Sequence, residues 1–212
     1  MGGGAAKGLA HVGAWKAIQE AGISVVGIIG TSTGAMMGAA VAAGQTVEEM
    51  EERSERLRRR DIMRVNRRAV WVNGIRSQSV FRGDILRQFI EDLLPTDDWQ
   101  ELTIPLMVNA VDLASGEMVW FGHEGDQDAG LVDSVHASAA LPVLFPPVEM
   151  GERMLVDGGV LDMLPIERAA EMGATRIIAI DVGAGPHVDA RVVVDGGLIA
   201  VHQRVFSLMS GN

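Results

Sequence analysis

Cysteine is absent from all 212 residues of this chain. Disulfides, thiolate metal sites and cysteine nucleophiles are excluded with it. Also missing is any apolar run close to the roughly 18 residues that a membrane-spanning helix needs. The N-terminus lacks the basic-then-apolar pattern of a secretory leader, with glycines and Lys7 in its place. A cytoplasmic location is the default expectation. Positive charge is in deficit: 18 Lys and Arg stand against 28 Asp and Glu, for a formal net charge of −10. That balance disfavours nucleic acid as the main partner.

What is present suits one globular α/β domain. Hydrophobic residues make up 48%, with 26 Gly and 7 Pro, a mix of core-formers and tight turns unlike a disordered or fibrous chain. The length allows a continuous buried core. Charge is unevenly spread: residues 51–68 hold eight Arg against four acids, a local +4, leaving −14 elsewhere. Such an arm (Arg53 to Arg68) could touch anionic lipid head groups, at about 1 kcal/mol per basic residue near the surface. The plainer reading is a solvated helix laced with the pairs Glu52–Arg56 and Glu55–Arg59.

Periodicity and punctuation place the elements. Leu9 to Ala21 reads as a helix stopped by Gly22, and Ile23 to Ile29 as a β-branched strand ending at Gly30. Ala35 to Ala43, all small or apolar, is a closely packed helix. Thr46 to about Arg60 is a polar helix, and Phe81 to Leu94 an amphipathic one stopped by Pro95. Strands at Pro105–Asp112 and Met118–Phe121 form a hairpin about Ala114-Ser115-Gly116. Ser134 to Ala140 is a short helix, and prolines keep 141–147 extended. Met154–Val156 is a strand, 166–172 a helix, and Arg176–Val182 a strand buried on both faces. This alternation implies a three-layer α/β/α fold about a mainly parallel sheet.

The strongest chemical signal is Gly30-Thr31-Ser32-Thr33-Gly34. It follows a predicted strand and precedes a helix of small residues, the setting of a nucleophile elbow. Gly30 and Gly34 leave room for the sharp turn, and the serine hydroxyl is presented beside a helix N-terminus. The run Gly2-Gly3-Gly4-Ala5-Ala6-Lys7-Gly8 fits neither a P-loop nor a dinucleotide fingerprint. It can aim several backbone N–H groups at one point, as an oxyanion hole requires. Asp157-Gly158-Gly159 sits at a strand end, where a carboxylate can serve a serine as general base. The same tripeptide recurs as Asp195-Gly196-Gly197, read as a structural turn. His187 and His202 follow Asp157 and Asp181, so chain order alone leaves a Ser–acid–His triad open. His11, His123 and His136 show no metal-ligand spacing, and most of the five histidines read as surface or capping residues.

Taken together, these segments resemble the patatin-like phospholipase family. GGGAAKGLAHVGAWKAIQEAGI is similar to its glycine-rich oxyanion loop and following helix, and IIGTSTGA to its nucleophile elbow. ASAALPVLFPPV and LVDGGVLDMLPIERAAEMGA resemble the stretches before and around its catalytic aspartate, and NAVDLASGEMVWF a hairpin of bacterial members. The resemblance implies a patatin-like fold over 1–212, lacking the family's first strand and a C-terminal extension. It implies a Ser32–Asp157 dyad without histidine, an oxyanion hole at Gly3, Gly4 and Ala5, and an acyl-enzyme. It implies too a lipid or acyl-ester substrate, with no cofactor, calcium or other metal. His136 stands where many bacterial relatives have Arg. An inactive lipid-binding module of the same fold is the second reading, and a histidine-dependent esterase the third. Met36, Met37, Leu141, Val143, Leu144 and Phe145 could line an acyl groove or belong to the core, the methionines fitting core better.

Overall fold

The computed structural model describes residues 1–66, 71, 77–183 and 188–209. Met1–Gly4 leads through a 3-10 turn, Ala5–Leu9, into helix α1 (Ala10–Glu20). After β1 (Ile28–Gly30) comes α2 (Thr33–Ala42), whose residues from Gly34 to Ala42 are all buried. Glycine and alanine dominate α2 because its backbone must lie against β1 and β2; a Cβ on Gly38 would already meet Ile28 at 3.0 Å. Helix α3 (Val47–Arg56) begins with a capping box, Thr46 and Glu49 each bonding the other's backbone. The expected single helix to Arg60 is instead two. Leu57 turns extended, and Asp61 Oδ2 accepts from Arg58 N at 2.8 Å to open α4 (Arg59–Ile62).

Helix α5 (Gly83–Leu93) buries Gly83, Leu86, Ile90 and Leu93, the stripe its periodicity requires. Strand β2 (Leu106–Asp112) is buried at every position, and β3 (Met118–Gly122) returns antiparallel beside it as the expected hairpin. Helix α6 (Leu131–Ser138) starts three residues before its expected position, because Asp97 caps it from far along the chain. Val132 N donates to Asp97 Oδ1 at 2.7 Å and Leu131 N to Asp97 O at 3.0 Å. A second hairpin pairs β4 (Val148–Met150), not foreseen, with β5 (Arg153–Asp157). Helices α7 (Ile166–Glu171), α8 (Ala190–Asp195) and α9 (Gly197–Met209) complete the described chain. Among the described residues, no helix is long and apolar enough to cross a membrane.

The α/β class holds, and the central sheet is mixed. Its order is β1-β2-β5-β4, with β3 on β2 as well. Strand β1 runs parallel to β2 with Gly30 opposite Val108, while β5 runs antiparallel with Asp157 opposite Ala110. Since β3 takes the other edge of β2, β1 and β5 share one edge end to end. Their carboxyl ends therefore converge on Asn109.

Two expected strands are shorter or missing. Residues 23–27 lead into β1 without pairing, and Val26 is 86% exposed. The run Arg176–Val182 forms no strand, and Ile177 and Ile178 are exposed. Apolarity alone does not make a strand; a neighbouring ladder does. Met1–Gly2 instead bonds the end of β1 and the 176–182 run: the Met1 ammonium donates to Ile29 O at 2.8 Å, Thr31 N to Met1 O, and Gly2 N to Ile180 O.

Candidate active site

Ser32 occupies the sharp turn between β1 and α2 with φ 56° and ψ −123°. Positive φ is costly for a residue with a Cβ, so the surrounding structure must enforce it. Packing explains the flanking glycines. A Cβ on Gly30 would sit 2.6 Å from Gly34 O, and one on Gly34 would sit 2.1 Å from Met1 O. The Ser32 side chain is nearly buried, at 9% exposure.

Asp157 is 1% exposed at the end of β5. Its Oδ1 accepts from Gly159 N at 2.8 Å, a reach-back that requires the two glycines: a Cβ on Gly158 would lie 2.3 Å from Asn109 Oδ1. Burial pushes the carboxyl up to about 7, opposed by the Ser32 hydroxyl and by Gly159 N–H. The Ser32–Asp157 pairing is a near contact and not a formed hydrogen bond, since Oδ2 is buried without a partner. Catalytic hydrogen bonds are commonly loose before substrate arrives. A strained serine beside a desolvated carboxyl titrating near neutrality is an arrangement able to ionise the hydroxyl at the moment of attack.

The glycine loop closes over this pair. The site of a Cβ on Gly3 lies 3.0 Å from Ser32 Cβ and 2.3 Å from Met163 Sδ, so a side chain there would have to displace Met163. Gly3 N donates to Met163 O and Gly4 N to Thr33 Oγ1, each at 3.2 Å. Ala5 opens a right-handed 3-10 turn and carries no left-handed strain. Thr33 N, at the first position of α2, has no acceptor among the described residues.

Several residues at the site carried no sequence signal. Asn109, 0% exposed, donates from Nδ2 to Asp162 O at 3.1 Å beneath the Asp157 loop. Ser138 Oγ accepts from Ser32 N at 3.0 Å. His11, expected at the surface or as a cap, is fully buried with Nε2 2.8 Å from Gly2 O, and burial lowers its pKa. His136 is buried too, its pKa driven down to about 4 by desolvation. No histidine among the described residues hydrogen-bonds Ser32 or Asp157; His202 lies on α9, and His187 lies outside the described residues. Asp195 ends α8, and Gly197 turns the chain into α9 with φ +73°.

Of the apolar candidates, Met36, Met37, Leu144 and Phe145 are core, Leu141 is half-buried and Val143 is 46% exposed. In the basic arm Arg56 pairs with Glu52 at 2.5 Å and Arg53 donates to Asp92 O, in line with the plainer reading. The Arg59 side chain of the second expected pair lies outside the described residues.

The family model for patatin-like phospholipases matches residues 1–170. An uncharacterised NTE family protein of Mycobacterium tuberculosis is 35% identical over 90% of this chain and 51% of its own length. Patatin-like phospholipase domain-containing protein 6 of Homo sapiens is 29% identical over 89% of this chain and 13% of its own. The chain thus spans about half the length of the mycobacterial relative, and far less of the human one. The crystal structure of VipD from Legionella pneumophila superposes with a TM-score of 0.58 at 17% identity, over 76% of this chain and 45% of that one. That likeness is one of fold.

Proposed function

The chain belongs to the patatin-like phospholipase family, and from that premise we propose that it is a serine-dependent lipid acyl hydrolase using Ser32 and Asp157. Asp157 takes the proton of Ser32 Oγ as that oxygen attacks the ester carbonyl. The tetrahedral oxyanion is met by N–H groups of the Gly3–Ala5 loop, and the Asp157 proton passes to the departing alcohol. Water, deprotonated by the same carboxylate, then attacks the acyl-enzyme; as that intermediate collapses Ser32 Oγ leaves, takes the proton back from Asp157, and the fatty acid is freed. The 3.2 Å bonds of Gly3 and Gly4 are at the long end of the N–H···O range, as befits donors that exchange one acceptor for another. Thr33 N–H, beside them at the head of α2, is a further donor for the same charge.

One observation carries the reading: β1 and β5 end opposite Val108 and Ala110, so the strained serine and the desolvated carboxyl meet over Asn109. The carboxyl's pKa near 7 suits a general base working at neutral pH. The substrate class we infer is phospholipids or related acyl esters, cleaved as by a phospholipase A, a lysophospholipase or an esterase.

Incubation with a fluorophosphonate probe, followed by peptide mass mapping, tests the nucleophile. Labelling is expected at Ser32, with fatty-acid release from phosphatidylcholine vesicles lost in Ser32→Ala and Asp157→Asn. Labelling at another serine, or unimpaired turnover in Asp157→Asn, would overturn the pair. Vesicle binding without any ester turnover would turn the reading to an inactive lipid-binding module.

A further inference from the structure

The end of helix α6 holds both members of the pair at once. Ser138 Oγ accepts the N–H of Ser32 at 3.0 Å, and two residues later Ala140 O accepts the N–H of Asp157 at 3.1 Å. The three-residue segment that spans them is itself tied down. Ala139 N donates to Val135 O and Ala140 N to Ala137 O, and Ser138 and Ala140 are both 0% exposed.

Ser138 lies in a stretch where Val132, Val135, Ala137, Ala139 and Ala140 are buried and apolar and Ser134 and His136 are buried as well. Ser134, one turn earlier, shows the ordinary use of a helical serine: its hydroxyl bonds the carbonyl of Gly130 four residues back. The Ser138 oxygen instead reaches a backbone 106 residues away. Its donor belongs to the residue that carries positive φ in the elbow. Without that acceptor the Ser32 amide is a buried orphan, and the elbow loses an anchor against relaxing from its strained conformation.

We propose that Ser138 is a positioning residue for the nucleophile, its hydroxyl fixing the Ser32 backbone while Ala140 fixes that of Asp157, so that one rigid segment sets their separation. This rests on the reading of Ser32 and Asp157 as the reacting pair. The side chain touches no substrate; it acts through the placement of Ser32 Oγ. The consequence falls on the rate of attack and not on substrate binding, because a displacement of the nucleophile of about an ångström costs on the order of 10²-fold in rate.

The test compares the parent chain with Ser138→Ala and Ser138→Thr. Phosphonylation rates at Ser32 and the kcat and KM for a soluble p-nitrophenyl ester are normalised to titrated sites, and each protein is melted. Ser138→Ala is expected to slow phosphonylation and kcat about 10- to 100-fold with KM unchanged within about twofold, while Ser138→Thr, which keeps the oxygen, regains most of the loss. Should Ser138→Ala lose its cooperative melt, Ser138→Cys takes its place, since sulfur is a weak acceptor of similar volume. Parent-like phosphonylation of Ser32 in a folded, hydroxyl-free variant overturns this inference and leaves the nucleophile standing. No labelling of Ser32 in the parent chain overturns both.

Discussion

Helices α2 and α9 are both rich in apolar residues, yet α2 is buried from Gly34 to Ala42 while α9 leaves Leu198, Val201, Val205 and Leu208 exposed, Leu198 at 73%. Side-chain size and neighbours separate them. The glycines and alanines of α2 let its backbone lie against β1 and β2, whereas the larger residues of α9 need a facing groove, and its strongest packing is with the equally exposed α8. The proposed Ser32–Asp157 pair depends on the first kind of helix. A strained turn such as that at Ser32 persists only where close packing leaves it no alternative.

The largest expected effect strikes the buried region alone. Ser32→Ala and Asp157→Asn should each lower ester hydrolysis by about 10⁴-fold or more while leaving the melt cooperative. Equal activity in either variant would remove the chemistry from this region.

Glycines sharpen the contrast. Gly34→Ala drives a Cβ to 2.1 Å from Met1 O, and should cost about 3 kcal/mol or more, with loss of turnover. Gly197→Ala, at φ +73° in open space, should cost only about 1 kcal/mol and spare activity. Urea unfolding of both variants measures the difference, and comparable losses would break the comparison.

A smaller effect follows from Asp157. The proposed mechanism requires the ionised carboxylate, so it predicts that kcat/KM rises about tenfold per pH unit on the acid side and levels off near pH 7. Stability moves the other way. The folded-state pKa is raised above the ordinary 3.8, so between the two values the native chain binds more protons than the unfolded one. This group's contribution therefore declines as pH rises toward about 7. The parent's activity profile across pH 4–8 would show the first slope, and thermal melts over the same range should show the second in the parent and not in Asp157→Asn.

The smallest effect belongs to the exposed helices. Val192→Ser and Leu198→Ser, at positions 65% and 73% exposed, should shift stability by no more than about 0.5 kcal/mol and leave turnover intact. A larger loss on melting would mean that these helices carry weight in the fold.

How much could be read beforehand tracks how local each feature is. The helices over 10–20 and 83–93 and the hairpin of β2 and β3 follow from periodicity and turn residues within a short window. The start of α6 escaped because its cap is Asp97, and the strand expected over 176–182 failed because a strand exists only with a partner. His11 and His136 are buried although most of the five histidines read as surface or capping residues, since nothing near these two in sequence signals burial.

For the site itself, Gly30-Thr31-Ser32-Thr33-Gly34 by itself determined a serine on a sharp turn between a strand and a helix, because the room Gly30 must leave is for Gly34 and Ala35 beside it, whereas the room at Gly34 is for the distant Met1. The sequence likewise determined that a carboxylate followed by two glycines could fold back on its own loop. Only the tertiary structure decided that these two meet. Their separation is set by the register of β1 and β5 on a shared edge of β2, and by Ser138 and Ala140 bonding both backbones. Burial then raises the Asp157 pKa to about 7, a property that belongs to its surroundings and not to the residue, because desolvation is the work of side chains from several distant elements.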